Sequence, residues 1–148
     1  MTDADGGLYV LLIRLPRYRR IRVGRLGAFD FPRGWYLYVG SAQRNRAARL
    51  ARHGRKAKRL HWHVDYLLVG GRLMETVCVP GTAEMECRLA DHLERALGLR
   101  RWPRRFGASD CRCSGHLRGA ARRPAVEAAL DGWTRQGAAG GRLRGSSR

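Results

Sequence analysis

The chain has 148 residues, with 30 Lys and Arg against 12 Asp and Glu and a formal net charge of +18. That length fits one domain around a single core. No run approaches the roughly 20 apolar residues of a bilayer span, which excludes a helical membrane protein. The acidic, polar opening MTDADGG is unlike a secretory leader, so a soluble, cytoplasmic protein is expected.

Lys56 and Lys58 are the only lysines, so 28 of the 30 basic residues are arginines. Codon usage in a GC-rich genome accounts for arginine over lysine but not for the shortage of acids. Nucleic acid is therefore the expected partner, DNA ahead of RNA, with an anionic membrane surface or plain solubility as the alternatives. The four cysteines, Cys78, Cys87, Cys111 and Cys113, read as free thiols in a chain with no export signal.

In chain order, GLYVLLIRL (7–15) reads as a buried strand after the turn formers Gly6 and Gly7. RVGRLGAFDFPRG (22–34), rich in Gly and Pro, reads as a connecting hairpin or loop, and WYLYVGS as the partner strand. NRAARLARH (45–53) predicts a helix that Gly54 ends. LHWHVDYLLV (60–69) alternates and then turns wholly apolar, which predicts a central strand, followed by a Gly70-Gly71 turn and a strand over 72–80 stopped by Pro80. Thr82 is a candidate cap for a helix over 83–97 with Leu89, Leu93 and Leu97 on one stripe and Gly98 after it. Residues 102–117 are too broken for long regular structure. A main domain over 1–118, a weak helix over 119–136 and a basic disordered tail over 137–148 complete the chain. The expected class is α+β, a three- to four-stranded, mainly antiparallel sheet flanked by helices.

The residues with chemistry gather in a few places. Tyr9 lies on the first strand, and Tyr36 and Tyr38 share a face of its partner. Gly40 and Ala42 would let a phosphate approach the backbone. Arg49 and His53 are four apart, hence on one helical face, and Glu84 and Glu86 open the later helix. Glu86 lies three before Leu89 at the edge of the apolar stripe, which favours it over Glu84 as a metal ligand; a first-turn acid favouring the helix dipole is the plain alternative. A single hard carboxylate with waters and phosphate oxygens suits Mg²⁺ or Mn²⁺. Arg49 suits a phosphate, bidentately, or a solvated face. His53 suits a proton relay or the helix C-terminus. If 60–69 is a strand, His61, His63 and Asp65 share one face, as hydrogen-bonding groups, a cleft lining or a metal site. Ser109, Asp110, Cys111, Cys113 and His116 form a second polar group beside them. C-x-C-x-x-H needs Cys87 or a distant ligand to make four, so zinc is not expected. The basic residues in and around the first helix, Arg44, Arg46, Arg52, Arg55, Lys56 and Lys58, are the expected nucleic-acid-binding set.

Gly7-Leu8-Tyr9, Tyr38-Val39-Gly40, Arg49 with His53, and the glutamate helix together resemble the GIY-YIG endonuclease superfamily. Gly7 to Leu11, Tyr38 to Ala42, Arg49 to His53, His61 to Leu68 and Phe106 to Leu117 resemble its small branch labelled as an uncharacterised domain. The resemblance covers about residues 6–118 and implies a GIY-YIG-like fold and a metal-dependent endonuclease acting on DNA. Its catalytic residues would be Tyr9, Tyr38, Arg49, His53 and Glu86, with Glu86 as metal ligand, Tyr9 activating or orienting the attacking water and Tyr38 bonding the phosphate or the water network. In some relatives the domain is fused to an endonuclease III repair glycosylase, which implies association with DNA repair proteins. A non-catalytic nucleic-acid-binding module on the same fold is the alternative. Two departures stand out: residues 16–33 lengthen the interval from Tyr9 to Tyr38, and Gly115 is an extra residue between Ser114 and His116.

Overall fold

The computed structural model describes residues 6–24, 27–42, 44–55, 63–101 and 116–140. Strand β1 (Gly7–Leu15) pairs along its whole length with β4 (Gly34–Ala42), setting Tyr9 opposite Gly40 and Leu11 opposite Tyr38. On its other edge β1 pairs with β5 (Arg72–Val79). β4 pairs outward with β7 (Leu117–Ala120), and β7 with the two-residue β6 (Arg100–Arg101). All of these pairings are antiparallel, in the order β5-β1-β4-β7-β6. A separate ribbon of β2 (Arg19–Arg22) and β3 (Ala28–Phe31) fills the connection between β1 and β4. The class is α+β, with four substantial sheet strands as the sequence predicts and β6 as a short addition.

Strand alternation divides the core in two. Leu8, Val10, Leu12, Leu37, Val39 and Val79 face helices α3 (Glu86–Leu97) and α4 (Val126–Gly140), which contribute Leu89, Ala90, Leu93, Val126, Leu130 and Trp133. Tyr9, Leu11, Ile13, Leu15, Tyr36 and Tyr38 face the other way, onto Val23 and Phe31 of the ribbon region and onto α2 (His63–Gly70). Because both faces of β1 are covered, its sequence is almost continuously apolar. Helix α1 (Arg46–Gly54) closes the end of the sheet where β1 begins and β4 finishes. No helix of the described residues is long and apolar enough to cross a membrane.

Three expectations need correction. Residues 63–70 are helical, not a strand. Val64, Leu67 and Leu68 recur at helical spacing and are buried, while Val69 is 56% exposed. Both edges of β1 are already occupied, so no central place remains for another strand. A short apolar run cannot choose between the two by itself. A helix has no period-two face, so positions 63 and 65 do not align as the strand reading requires; His61 lies outside the described residues. Second, α4 runs to Gly140, into the first residues of the expected tail, and Val126, Leu130 and Trp133 join the core. The expected boundary at 118 falls inside β7. Third, Cys87 is disulfide-bonded, whereas Cys78 is a free thiol. Compartment alone predicts thiols, but chain separation says nothing about which sulfurs the fold brings together. Cys111 and Cys113 lie outside the described residues.

Burial of tyrosines has a thermodynamic consequence. Desolvation pushes the Tyr9 and Tyr36 phenols up to about 12 and Tyr38 higher still. A folded-state value above the unfolded one of about 10 means the unfolded chain ionises first. The tyrosine contribution is therefore complete below about pH 10 and is lost as pH rises through the folded values. Thermal melts from pH 8 to 11.5 should show Tm falling above pH 10, with the 295 nm phenolate absorbance of the buried rings appearing only with unfolding. Their titration near pH 10 in the folded protein would contradict this.

Candidate active site

At the shared end of β1 and β4, the register puts the Tyr9 ring directly over Gly40: a Cβ there would lie 2.6 Å from both Cζ and the hydroxyl of Tyr9. Gly40 is thus the floor on which the Tyr9 ring rests, a more specific role than leaving room for a phosphate. Tyr38 is the diagonal neighbour of Tyr9 on the same face. Tyr36 shares that face but donates to the Pro32 carbonyl at 2.6 Å and packs edge-on against Phe31, a supporting role at the opposite end.

Helix α1 turns an unusual face inward. Arg46, Arg49, Leu50 and His53 recur at helical spacing, so arginines and a histidine stand where a core helix normally carries aliphatic groups. Arg46 donates to the carbonyls of Leu8 at 2.9 Å and Val79 at 3.2 Å, tying α1 to the ends of β1 and β5. Gly7, at φ +138°, makes room for it: a Cβ at residue 7 would stand 2.4 Å from Arg46 Nη1. Arg49 donates to the Ser41 carbonyl at 2.5 Å and also hydrogen-bonds Tyr9.

His53, 2% exposed, has Nε2 3.1 Å from the Tyr9 hydroxyl. Its Nδ1 lies 3.8 Å from Oδ1 of Asp65, which is fully buried on α2. Arg52 holds the same carboxylate with two hydrogen bonds, of 3.2 and 3.1 Å. A buried carboxylate needs such a partner to remain charged. Its negative charge favours a proton on the near ring nitrogen, Nδ1, which leaves Nε2 to accept from the Tyr9 hydroxyl.

Glu86, in the first turn of α3, lies within electrostatic reach of the Tyr9 phenol. Ser41 donates to its Oε2, and His116 Nδ1 lies 3.4 Å from its Oε1. His116 Nε2 lies 3.6 Å from Cys87 Sγ, and the His116 carbonyl accepts from the Val39 amide at 3.1 Å. Glu84 is exposed and hydrogen-bonded with Thr82, away from this group. Burial raises the pKa of the Tyr9 phenol most, the Arg49 charge and hydrogen bond lower it, and the Glu86 and Asp65 charges raise it.

The fold therefore brings Tyr9, Tyr38, Arg49, His53 and Glu86 together, with Asp65 and His116 joining them. Ser41 was absent from the sequence-based set; its only signal is its place at the end of YVGSA beside Gly40. Asp65 carried a signal that the strand reading obscured, a lone acid in an apolar run that needs a buried partner. Among the expected nucleic-acid-binding residues, Arg44 and Arg55 are exposed, whereas Arg46 and Arg52 are engaged with backbone carbonyls and Asp65. Lys56, Lys58, Ser109, Asp110, Cys111 and Cys113 lie outside the described residues, as does the side chain of His63. No group of three or more potential metal-ligating side chains occurs among the described residues.

Two substitutions probe this arrangement without assuming a function. Gly40→Ala should cost about 1–3 kcal/mol in urea denaturation, the usual range for overpacking, because a rigid ring must move. In ¹⁵N–¹H correlation spectra, neutral His53 should carry its proton on Nδ1, and Asp65→Asn should shift the balance towards Nε2. An unchanged tautomer in that variant would remove Asp65 from the relay.

Compared with known proteins, the chain finds no match among curated proteins or solved structures. One family, described as a domain of unknown function, DUF123, matches over residues 8–137. With nearly the whole chain covered, including both tyrosine strands and the helices around them, the protein belongs to the DUF123 family.

Proposed function

We propose that this protein is a metal-dependent endonuclease of GIY-YIG type that hydrolyses phosphodiester bonds in DNA, with a role in repair. The observation that carries the reading is the Tyr9–His53 hydrogen bond backed by Asp65, with Arg49 hydrogen-bonded to the same phenol and Glu86 within its electrostatic reach. A phenol raised to about 12 is a poor base at neutral pH unless its own proton has somewhere to go. His53 Nε2 supplies that place. Tyr9 takes a proton from the attacking water as it passes its own to His53, the water oxygen bonds to phosphorus, and the bond to the leaving oxygen breaks. That oxygen departs with the bonding pair and takes a proton from solvent water. Asp65 stabilises the imidazolium so formed, and Arg52 keeps Asp65 ionised. Arg49 offers positive charge beside the phenol, both to the phosphate and to the developing phenolate. Tyr38 walls the Tyr9 ring and fixes its position.

Glu86 fits a single-carboxylate cation site: one hard ligand in a helix first turn, its side chain 20% exposed, oriented by Ser41 and His116. Mg²⁺ or Mn²⁺ held there would neutralise charge on the phosphoryl oxygens. The basic excess supplies the attraction to DNA that any such reaction requires.

A second reading rests on burial. Tyr9 is 3% and Tyr38 5% exposed, as expected of a module that keeps the fold and binds nucleic acid without cutting it. Plasmid, flap and branched DNA incubated with Mg²⁺ or Mn²⁺ separates the two. Cleavage should occur with wild type, fall at least about 100-fold in Tyr9→Phe and in Glu86→Ala, and fall less in Tyr38→Phe. Cleavage unchanged in both of the first two variants would sink the mechanism. Salt-dependent binding with no metal requirement and no cleavage would establish the binding module instead.

A further inference from the structure

We propose that the β2–β3 ribbon is a second docking surface for duplex DNA, gripping phosphates about six base pairs from the Tyr9 end of the sheet. The inference rests on the reading that DNA is the partner. The ribbon's inner face is anchored: Ile21, Phe29 and Phe31 pack on the core, and the Arg19 side chain crosses Gly70 at the end of α2. By strand alternation its outer face carries Tyr18, Arg20 and Arg22, all exposed, with exposed Arg17 just before it. Asp30 is the one acid between residues 16 and 34, against six arginines. It pairs across the ribbon with Arg20 at 3.1 Å and accepts from Tyr18 at 2.5 Å, which fixes both side chains. Neither Arg17 nor Arg22 has an ion-pair partner among the described residues.

A rigid, arginine-rich, two-stranded ribbon is of a width the major groove of B-DNA admits, and its guanidinium groups match phosphates bidentately. The ribbon lies on the same sheet face as Tyr9. Six residues of extended strand, Tyr9 to Leu15, separate the two ends, about 20 Å, close to six steps of B-DNA at roughly 3.4 Å each. Membrane docking fits less well, because among the described residues the outer face offers a single aromatic, already bonded to Asp30, and no aliphatic side chain larger than that of Ala28.

The test compares wild type with Arg17→Gln/Arg20→Gln/Arg22→Gln by fluorescence anisotropy on labelled hairpin duplexes with stems of about 5 and 20 base pairs, the shorter too short to span the six steps, in EDTA, over a range of salt. Wild type should bind the longer duplex more tightly than added site number explains. The variant should lose about 10- to 100-fold on the 20-base-pair stem, with a log–log salt slope shallower by about two to three, and far less on the short stem. Arg17→Gln/Arg22→Gln, which keeps the Arg20–Asp30 pair, repeats the measurement should the triple variant unfold. Equal affinity and slope for variant and wild type would overturn the ribbon while leaving the nuclease reading intact, since cleavage is measured separately with metal. Absence of wild-type DNA binding would overturn both. Ribbon-dependent binding to phosphatidylserine vesicles without DNA binding would transfer the surface to a membrane and overturn the proposal.

Discussion

The antiparallel register of β1 and β4 is the constraint on which the rest of this structure depends. It places Tyr9 opposite Gly40, and the missing side chain at 40 lets the tyrosine ring lie across the neighbouring strand with its hydroxyl at the sheet end. A slip of β1 by one residue would send Tyr9 to the face opposite Tyr38, among the leucines that meet α3 and α4. Every polar partner of the phenol arrives at that one spot: α1 from beyond the end of β4, α2 from the tyrosine face, α3 from its first turn.

Buried charge makes the arrangement specific. Asp65 is fully buried and is held by Arg52 and neighboured by His53, so removing any member would strand a charge in a place that solvates it poorly. Arg118 follows the same logic elsewhere: it is 1% exposed within β7, yet it reaches Glu94 at 2.8 Å and Asp91 at 3.0 Å on α3. In a chain this short of acids, the carboxylates at these sites are largely committed to arginines that the fold has taken inside. The remaining surface is left strongly basic.

The two ends of the sheet thereby acquire different characters. One end gathers a phenol, an imidazole, guanidinium groups and a carboxylate in a mostly dry setting, where electrostatic interactions are strong. The other carries an exposed ribbon whose outer face is basic and fixed by one cross-strand pair. Trp35, on the central strand β4, has the guanidinium groups of Arg14 and Arg123 over its ring at 5.5 and 5.1 Å from the centroid.

Much of this was legible in the sequence because it depends on local pattern. The β1–β4 pair follows from two apolar runs joined by Gly- and Pro-rich chain, and the end of α3 from Gly98 in the left-handed region. That Glu86 is partly buried and Glu84 exposed followed from helical spacing against Leu89. Residues 63–70 were misread because a short apolar run has no decisive period, and only the occupied edges of β1 exclude a further strand there. For the same reason Asp65 could be recognised as a buried polar residue but not as the partner of His53, a pairing between two helices that no spacing encodes. The role of Gly40 likewise needed the register, since its reason is a ring carried by another strand. Sequence determined which residues could do chemistry and on which local element most of them sit; tertiary packing decided which of them meet, because contact across elements depends on register and crossing geometry rather than on distance along the chain.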